Sequence, residues 1–226
     1  MFGCPSPRCT IRCGVWEDVL KKTRVASERC EEKRAAFCRA IEALPVEKLV
    51  FLDECGFALN LHRLYGWAIK GERCVEAVPF NKGTNRSVLG AYSLPCAQNP
   101  TGLWALWQKL GAWSGLLFEA FLSDELLPRL PAGSVLVLDN ARIHHGRGLL
   151  ESVEKAGHSL LYLPPYSPDY NPIELVWSWL KNRVRNLAPR QDQQREQAIH
   201  HAKNLLPHQN AIGWFQKCGI TPLLSD

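Results

Sequence analysis

The chain reads Leu49-Val50-Phe51-Leu52-Asp53 at one point and Val135-Leu136-Val137-Leu138-Asp139 at another, and each of these apolar runs ends on an acid. Runs of this length without a polar interruption are typical of strands that are buried on both faces of a sheet. In α/β folds the carboxyl ends of such strands meet at one edge, where binding sites lie. We therefore predict that Asp53 and Asp139 lie together at one edge of a sheet.

A third acid, Glu174, follows Asp139 with 34 residues between them and stands at the start of a predicted helix. Asn171 is a good N-cap, and Pro172 suits the first helical position. One apolar stripe continues from there: Ile173, Val176, Trp177, Leu180, Val184 and Leu187. We therefore expect Glu174 in the first turn of this helix, beside the edge that carries the two aspartates.

The order of elements predicts the fold class. Short β-prone runs separated by turn residues predict strands over 49–53, 66–69, 74–78, 87–92 and 103–106, an antiparallel meander. A crossover helix capped by Ser114, the strand that ends at Asp139, a helix over 148–156 and a strand over 160–163 then alternate. This pattern predicts an α/β fold in which a mixed central sheet, first a meander and then α/β alternation, carries helices on both faces.

The first 26 residues are rich in Cys, Pro and basic residues without a clear period, so we expect a poorly ordered tail or remnant there and a single domain over 27–226. Ser27 is the predicted N-cap of a helix that Pro45 stops. The cysteines of the tail, Cys4, Cys9 and Cys13, contain no C-x-x-C pair, and this argues against a zinc site.

Composition and charge narrow the class of protein. No apolar stretch approaches the roughly 18 residues of a membrane span, and the start has no secretory signal, which predicts a soluble, cytoplasmic protein. An odd count of nine cysteines favours small buried side chains in a reducing compartment over a disulfide framework. The net charge of +5 permits a polyanionic partner without demanding one.

The three acids point to metal chemistry. Carboxylates are hard oxygen ligands, so a cluster of them without nearby His or Cys ligands favours Mg²⁺ or Mn²⁺ over zinc. Two such ions can assist both the attacking and the leaving oxygen in the in-line displacement at a phosphodiester. Each acid also has a structural explanation, because Asp often begins a turn and Glu in a first helical turn often completes a capping box.

Three stretches resemble a known family: 52–57 (LDECGF), 137–144 (VLDNARIH) and 163–174 (LPPYSPDYNPIE). They are similar to the DDE transposases of bacterial insertion sequences in the mariner-like superfamily, and the resemblance covers roughly residues 21–215. The stretch from Pro164 to Glu174 is its most specific part. The spacing between the second and third acids is also one that this superfamily shows.

The resemblance implies a ribonuclease H-like catalytic domain in which Asp53, Asp139 and Glu174 hold two divalent metal ions, Mg²⁺ or Mn²⁺. Such enzymes hydrolyse a phosphodiester at each transposon end and then use the freed 3′-hydroxyl to attack target DNA. Because two ends must be held together, it also implies a homodimer on DNA. The partners expected are therefore transposon ends, target DNA and a second copy of the chain.

Further polar residues are candidates for orienting a metal ligand or contacting DNA: Asn140, His144, Asn171, Lys181, Arg183 and Arg185. A polar helix entrance explains Asn140 and His144 almost as well, Asn171 is also a good N-cap, and exposed helix charges are ordinarily just solvated. Glu54 should point away from Asp53, because side chains alternate along a strand. Trp177 lies on the apolar stripe, where core packing is the simpler explanation.

The sequence departs from the family at its start, where relatives carry a helix-turn-helix region that recognises terminal repeats. We expect that region to be missing here. An alternative reading is therefore a truncated, non-catalytic remnant that binds DNA or joins full-length subunits and damps transposition. A third is a ribonuclease H-like nuclease acting on RNA–DNA hybrids.

Overall fold

The structure, a computed structural model, describes residues 26–63 and 65–221. Its strands and α-helices, in chain order, are α1 (Glu31–Glu42), β1 (Leu49–Phe57), β2 (Arg86–Tyr92), β3 (Leu103–Leu110), α2 (Gly115–Ala120), β4 (Val135–Leu138), α3 (Arg147–Lys155), β5 (Ser159–Tyr162), α4 (Ile173–Leu187), α5 (Asp192–Asn204) and α6 (Ala211–Lys217). The tail cysteines Cys4, Cys9 and Cys13 lie outside the described residues.

The five strands form one mixed sheet in the order β3-β2-β1-β4-β5. β2 pairs antiparallel with both β1 and β3, whereas β4 pairs parallel with both β1 and β5. The register between the two acid-bearing strands runs from Leu49 opposite Val135 to Phe51 opposite Val137. This common direction brings Asp53 and Asp139 to the same end of the sheet, and the predicted meander followed by α/β alternation is confirmed.

Alternate residues of the central strands divide between two apolar clusters, one on each face of the sheet. Leu49 and Phe51 pack with residues of α1, α4, α5 and α6, and Trp177 lies in this cluster. Val50 and Leu52 pack on the opposite face with residues of α2 and α3, among them Phe118. Each fully buried Leu or Phe in these layers contributes about 1.5–3 kcal/mol. The predicted helices on both faces are therefore present.

Two of the predicted strands are wrong. The segment between β1 and β2 contains no strand among its described residues, although 66–69 and 74–78 are β-prone. Their apolar side chains are exposed, including Trp67, Ile69 and Val75. A β-prone run becomes a strand only where a neighbouring strand completes its hydrogen bonds, and here none is adjacent.

The helix boundaries also differ in part from the prediction. Ser114 caps α2 as predicted, accepting the backbone N–H of Leu117, but α1 begins at Glu31 after Cys30 instead of after Ser27. The Ser27 hydroxyl donates to the neighbouring Glu28 carboxylate instead. In the described part of the chain, no helix has both the length and the apolar character needed to cross a membrane.

Candidate active site

The three predicted acids line one cavity of about 430 Å³ at the carboxyl end of β4. Asp53 reaches it from β1, Asp139 follows the last residue of β4, and Glu174 lies in the first turn of α4. The other lining residues come from the two connecting loops: Asn140, Ala141, Leu163, Pro164, Pro165, Tyr166, Ser167, Pro168 and Asn171. The fold therefore brings the three acids together from positions far apart in the sequence.

Asp53 is disfavoured as an anion. Its burial and the nearby charge of Glu174 raise its pKa to about 7, against the lowering effect of hydrogen bonds from the Glu54 backbone N–H and the Trp177 side chain. The Trp177 indole Nε1–H donates to Asp53 Oδ2 at 2.9 Å. Trp177 is a core residue, as its place on the apolar stripe indicates, and it also orients this acid.

Glu174 is similarly affected, because burial and the charge of Asp139 raise its pKa. Lys181, two turns further along α4, acts in the opposite direction on the same carboxylate. Of the three basic residues predicted on this helix, Lys181 is thus the one whose charge reaches the acids. Arg183 instead lies over the Trp179 ring, and Arg185 donates to Asn182.

Asp139 has the opposite environment. Its Oδ1 accepts the backbone N–H of Ala141 at 2.9 Å and lies 2.7 Å from Nδ1 of His144. The hydrogen bond from His144 lowers the pKa of Asp139 more than burial raises it. The Ala141 N–H and the His144 ring therefore favour the ionised form of Asp139.

His144 lies between Asp139 and Glu54. Its Nε2 is 3.1 Å from Glu54 Oε1, and its ring is only 1% exposed. Burial lowers the pKa of His144, but the hydrogen bonds and charges of both carboxylates outweigh it and raise the pKa to about 9. The ring is a buried cation between two acids, and Glu54 points to the face of the sheet opposite Asp53.

The loop over 163–172 forms one wall of the cavity. Asn140 fastens it, because its Nδ2–H donates to the backbone oxygen of Leu163. Asn171 is buried, and its Oδ1 has no hydrogen-bond partner in the described part of the chain. Tyr166 has a φ of 55°, a left-handed conformation that costs an aromatic residue about 1–3 kcal/mol. The wall thus contains a buried amide oxygen, Asn171 Oδ1, that has no described partner and does not cap α4.

One contact to this loop was missed by sequence reasoning. Arg34 of α1 donates through both terminal nitrogens to Asp169, at 3.0 and 2.7 Å, and its guanidinium lies 3.8 Å from the centre of the Tyr170 ring. Arg34 and Asp169 are 135 positions apart, so no local pattern could pair them. The sequence offered one signal: Arg34 lies on the same helical face as the apolar residues Phe37 and Ile41.

The donor set fits a divalent cation in its chemistry. Three carboxylates are hard oxygen donors of the kind that Mg²⁺ and Mn²⁺ prefer, and burial together with the charge of Glu174 raises the pKa of Asp53. Within residues 26–63 and 65–221, however, no three His, Cys, Asp or Glu side chains already converge as a ligand set. The three acids line the cavity without forming a finished ligand set, and their side chains would have to converge to hold one ion.

Comparisons with known proteins agree with this fold. The insertion element IS630 uncharacterized 39 kDa protein of Shigella sonnei is 27% identical over 178 residues, covering 75% of this chain and 48% of the relative. The chain therefore spans about half the length of that curated relative.

Among solved structures, the mariner Mos1 paired end complex with Mg has a TM-score of 0.63 at 13% identity, covering 90% of this chain and 66% of that one. The Mos1 strand transfer complex has a TM-score of 0.52 at 18% identity, covering 87% and 66%. These similarities confirm the ribonuclease H-like fold class. The family described as DDE superfamily endonuclease matches residues 48–196, more than half of the sequence. This chain belongs to the DDE superfamily endonuclease family.

Proposed function

We propose that this chain is the catalytic domain of an insertion-element transposase, which cleaves DNA phosphodiesters at the element's ends and transfers the freed strands into target DNA. The observation that carries the proposal is the cavity lined by Asp53, Asp139 and Glu174. Family membership supports the nuclease chemistry, and the resemblance of the loop before Glu174 to insertion-sequence transposases supports the substrate.

The three carboxylates would hold two divalent ions, Mg²⁺ or Mn²⁺. When bound, such ions neutralise charge on the phosphate and increase the acidity of the attacking hydroxyl or water. Asp139 is already favoured as a carboxylate through its contact with His144, whereas Asp53 is kept in position by Trp177. Asn171 lies in the loop that forms one wall of the cavity and carries a further amide oxygen.

The remaining residues of the site serve to position the substrate. Lys181 lies near Glu174 and can contact a DNA phosphate without displacing the acids. Arg183 and Arg185 lie on the same helix and extend the basic surface away from the cavity. Because two ends must be joined in one reaction, we expect two copies of the complete protein to act on DNA together.

The direct test is nicking of supercoiled plasmid DNA in Mg²⁺ or Mn²⁺ by the chain and by Asp139→Asn, purified identically. We expect nicking that EDTA abolishes, with a rate at least about 100-fold lower in the variant, because one ligand of the ions is lost. Asp124→Asn is the matched control. Asp124 is an exposed acid outside the cavity lining that accepts the Ser123 hydroxyl, and its replacement should leave nicking unchanged.

Two outcomes would contradict the proposal. Equal nicking by the chain and Asp139→Asn would remove Asp139 from the reaction. Folded protein that binds DNA but does not nick it in either metal would favour the non-catalytic remnant. A parallel assay with an RNA–DNA hybrid decides the substrate class, since faster cleavage of the hybrid than of duplex DNA would replace a transposase with a hybrid nuclease.

A further inference from the structure

The second acid, Asp139, lies beyond the last residue of β4, so no ladder hydrogen bond of the sheet fixes it. Its side chain is 47% exposed, so packing does not fix it either. Yet Oδ1 is held at 2.7 Å by His144 and at 2.9 Å by the Ala141 N–H. The orientation of this carboxylate is therefore set by a side chain and a turn instead of by the strand.

The position of His144 is itself fixed by a ring contact and by hydrogen bonds of its backbone. Its centre lies 4.5 Å from that of Phe118 in α2, and its backbone oxygen accepts the Tyr162 hydroxyl at 2.7 Å. Its backbone N–H donates to Ala141 within the same short turn. With 1% exposure, the ring cannot contact DNA, and its two nitrogens instead contact Asp139 and Glu54.

The second partner of His144 connects it to the first acid-bearing strand. Glu54 follows Asp53 in β1, and successive side chains of a strand point to opposite faces. Asp53 thus meets Trp177 on one face, while Glu54 meets His144 on the other. A single imidazole therefore ties Asp139 to the residue next to Asp53, across the sheet.

We propose that Glu54 and His144 form a positioning pair that fixes the distance and orientation of Asp139 relative to Asp53 for binding of a divalent cation. The proposal rests on the proposed function, because it takes both aspartates as metal ligands. Groups that orient a metal ligand from behind typically contribute 10- to 100-fold to metal affinity. A merely structural histidine would contribute to folding but not to affinity.

The test is Mn²⁺ affinity of the DNA-free protein, measured by calorimetry, together with thermal unfolding in EDTA. The variants are His144→Ala, Glu54→Leu and the double variant. We expect about 10- to 100-fold weaker binding in His144→Ala and about 3- to 10-fold in Glu54→Leu. The double variant should bind as His144→Ala does, because Glu54 acts only through the imidazole.

Two further variants separate positioning from folding. Glu54→Gln keeps an oxygen that can accept from Nε2, so its Mn²⁺ affinity should stay within about threefold of the parent. His158→Ala replaces another buried histidine, at the start of β5 and outside the cavity lining. It should lower the unfolding temperature and leave Mn²⁺ affinity unchanged.

Folded His144→Ala and Glu54→Leu that bind Mn²⁺ within twofold of a competent parent would overturn the positioning role and leave the proposed function standing. Additive losses in the double variant would also overturn it, because they would mean that the two residues act separately. A parent that neither binds Mn²⁺ nor nicks DNA would overturn the proposed function and this inference together.

Discussion

At the scale of single residues, the two aspartates show how far the environment separates identical side chains. Both follow an apolar run, yet the pKa of Asp53 is raised to about 7 and that of Asp139 is lowered. The difference comes from their partners. Asp53 is buried near the charge of Glu174, whereas His144 donates to Asp139. Ionisation of the buried Asp53 carboxyl therefore destabilises the metal-free protein.

Asp53→Asn should accordingly stabilise the metal-free protein while abolishing nicking. A carboxyl whose folded pKa is raised opposes folding once it is ionised, so the gain should appear between pH 4 and pH 7 and stay constant above pH 7. We expect about 1–3 kcal/mol at pH 8, measured by urea denaturation in EDTA. Asp139→Asn is the opposite control, because it loses the bond from His144 and should be destabilised. A loss of stability in Asp53→Asn would contradict this account of the site.

The sequence predicted that the three acids lie together, because each stands at a recognisable place in a strand or helix, and the structure places all three around one cavity. The partners of those acids were not accessible in the same way. Trp177 reaches Asp53 across 124 positions and His144 reaches Glu54 across 90, and such pairs are fixed only by the packing of α4 and α2 on the sheet. The stripe indicated that Trp177 is buried, but not where its N–H points.

At the scale of elements, α4 packs against the sheet at Gly90 of β2. A Cβ built at this position would lie 2.6 Å from Cη2 of Trp177. The close approach of helix and strand at this point therefore requires a residue without a side chain, and it sets the position of the indole that bonds Asp53.

We expect Gly90→Ala to cost about 1–3 kcal/mol in the free energy of unfolding, because the added methyl displaces the indole. Nicking should fall with it, since the hydrogen bond to Asp53 is lengthened. Gly148→Ala in α3 is the control: a Cβ there meets nothing within 4 Å, so a gain of about 0.5–1 kcal/mol is expected. Equal effects of the two substitutions in chemical denaturation would show that Gly90 is not a tight contact.

The contact of α1 with the loop before α4 gives a second prediction at this scale. Arg34 is buried, and Asp169 supplies both acceptors for it. We expect Asp169→Asn to cost about 1–2 kcal/mol, a value reduced by the half-exposed position of the carboxylate. Nicking should slow several-fold, because the same loop carries Asn171 and leads into Glu174. Unchanged urea midpoints and nicking rates would show that α1 does not support this wall of the cavity.

The elements that were predicted wrongly have a common cause. Residues 66–69 and 74–78 have the composition of strands, but β1 pairs directly with β2, and neither segment lies beside a strand of the described sheet. The β-propensity of a segment describes how well it fits beside another strand, but a strand forms only where such a neighbour is present. The parallel pairing of β1 with β4 was predictable because an intervening helix makes such a crossover possible.

At the scale of the whole molecule, a charged cluster joins α5 to the end of β1 that extends beyond Asp53. Arg195, 2% exposed, donates to the backbone oxygens of Phe57 and Thr84, which bracket the connection between β1 and β2. Asp192 accepts from both Arg195 and Arg86. The cluster therefore fastens the two ends of the long β1–β2 connection to one helix.

Asp192→Asn should destabilise the protein by about 1–2 kcal/mol at pH 7, because two largely buried guanidinium groups lose a carboxylate that is itself 38% exposed and partly screened by solvent. The hydrogen bond from Arg86 lowers the pKa of Asp192 to about 2. This stabilisation is therefore complete above the ordinary Asp pKa of 3.8 and is lost as the pH falls toward 2. In denaturation curves, the difference between parent and variant should shrink over that range. A difference that persists unchanged at pH 2 would contradict the assignment.

The overall architecture was largely predictable because hydrophobic periodicity and the order of elements are properties of the sequence itself. The cluster around Asp192 was not, since it joins residues up to 138 positions apart through backbone oxygens that no pattern distinguishes. The candidate active site shows the same difference: the three acids could be picked out in the sequence, but their hydrogen-bond partners, such as Trp177 and His144, could not be assigned.

Joint binding of a divalent cation by Asp53, Asp139 and Glu174 can be tested by replacing that cation with Fe²⁺. Ascorbate and peroxide then produce hydroxyl radicals at the bound ion, and these cleave the polypeptide nearby. We predict cleavage confined to the segments around these three residues, suppressed by excess Mg²⁺ and lost in Asp139→Asn, as read by mass spectrometry. Cleavage elsewhere, or cleavage unaffected by that substitution, would show that the three acids do not hold a cation together.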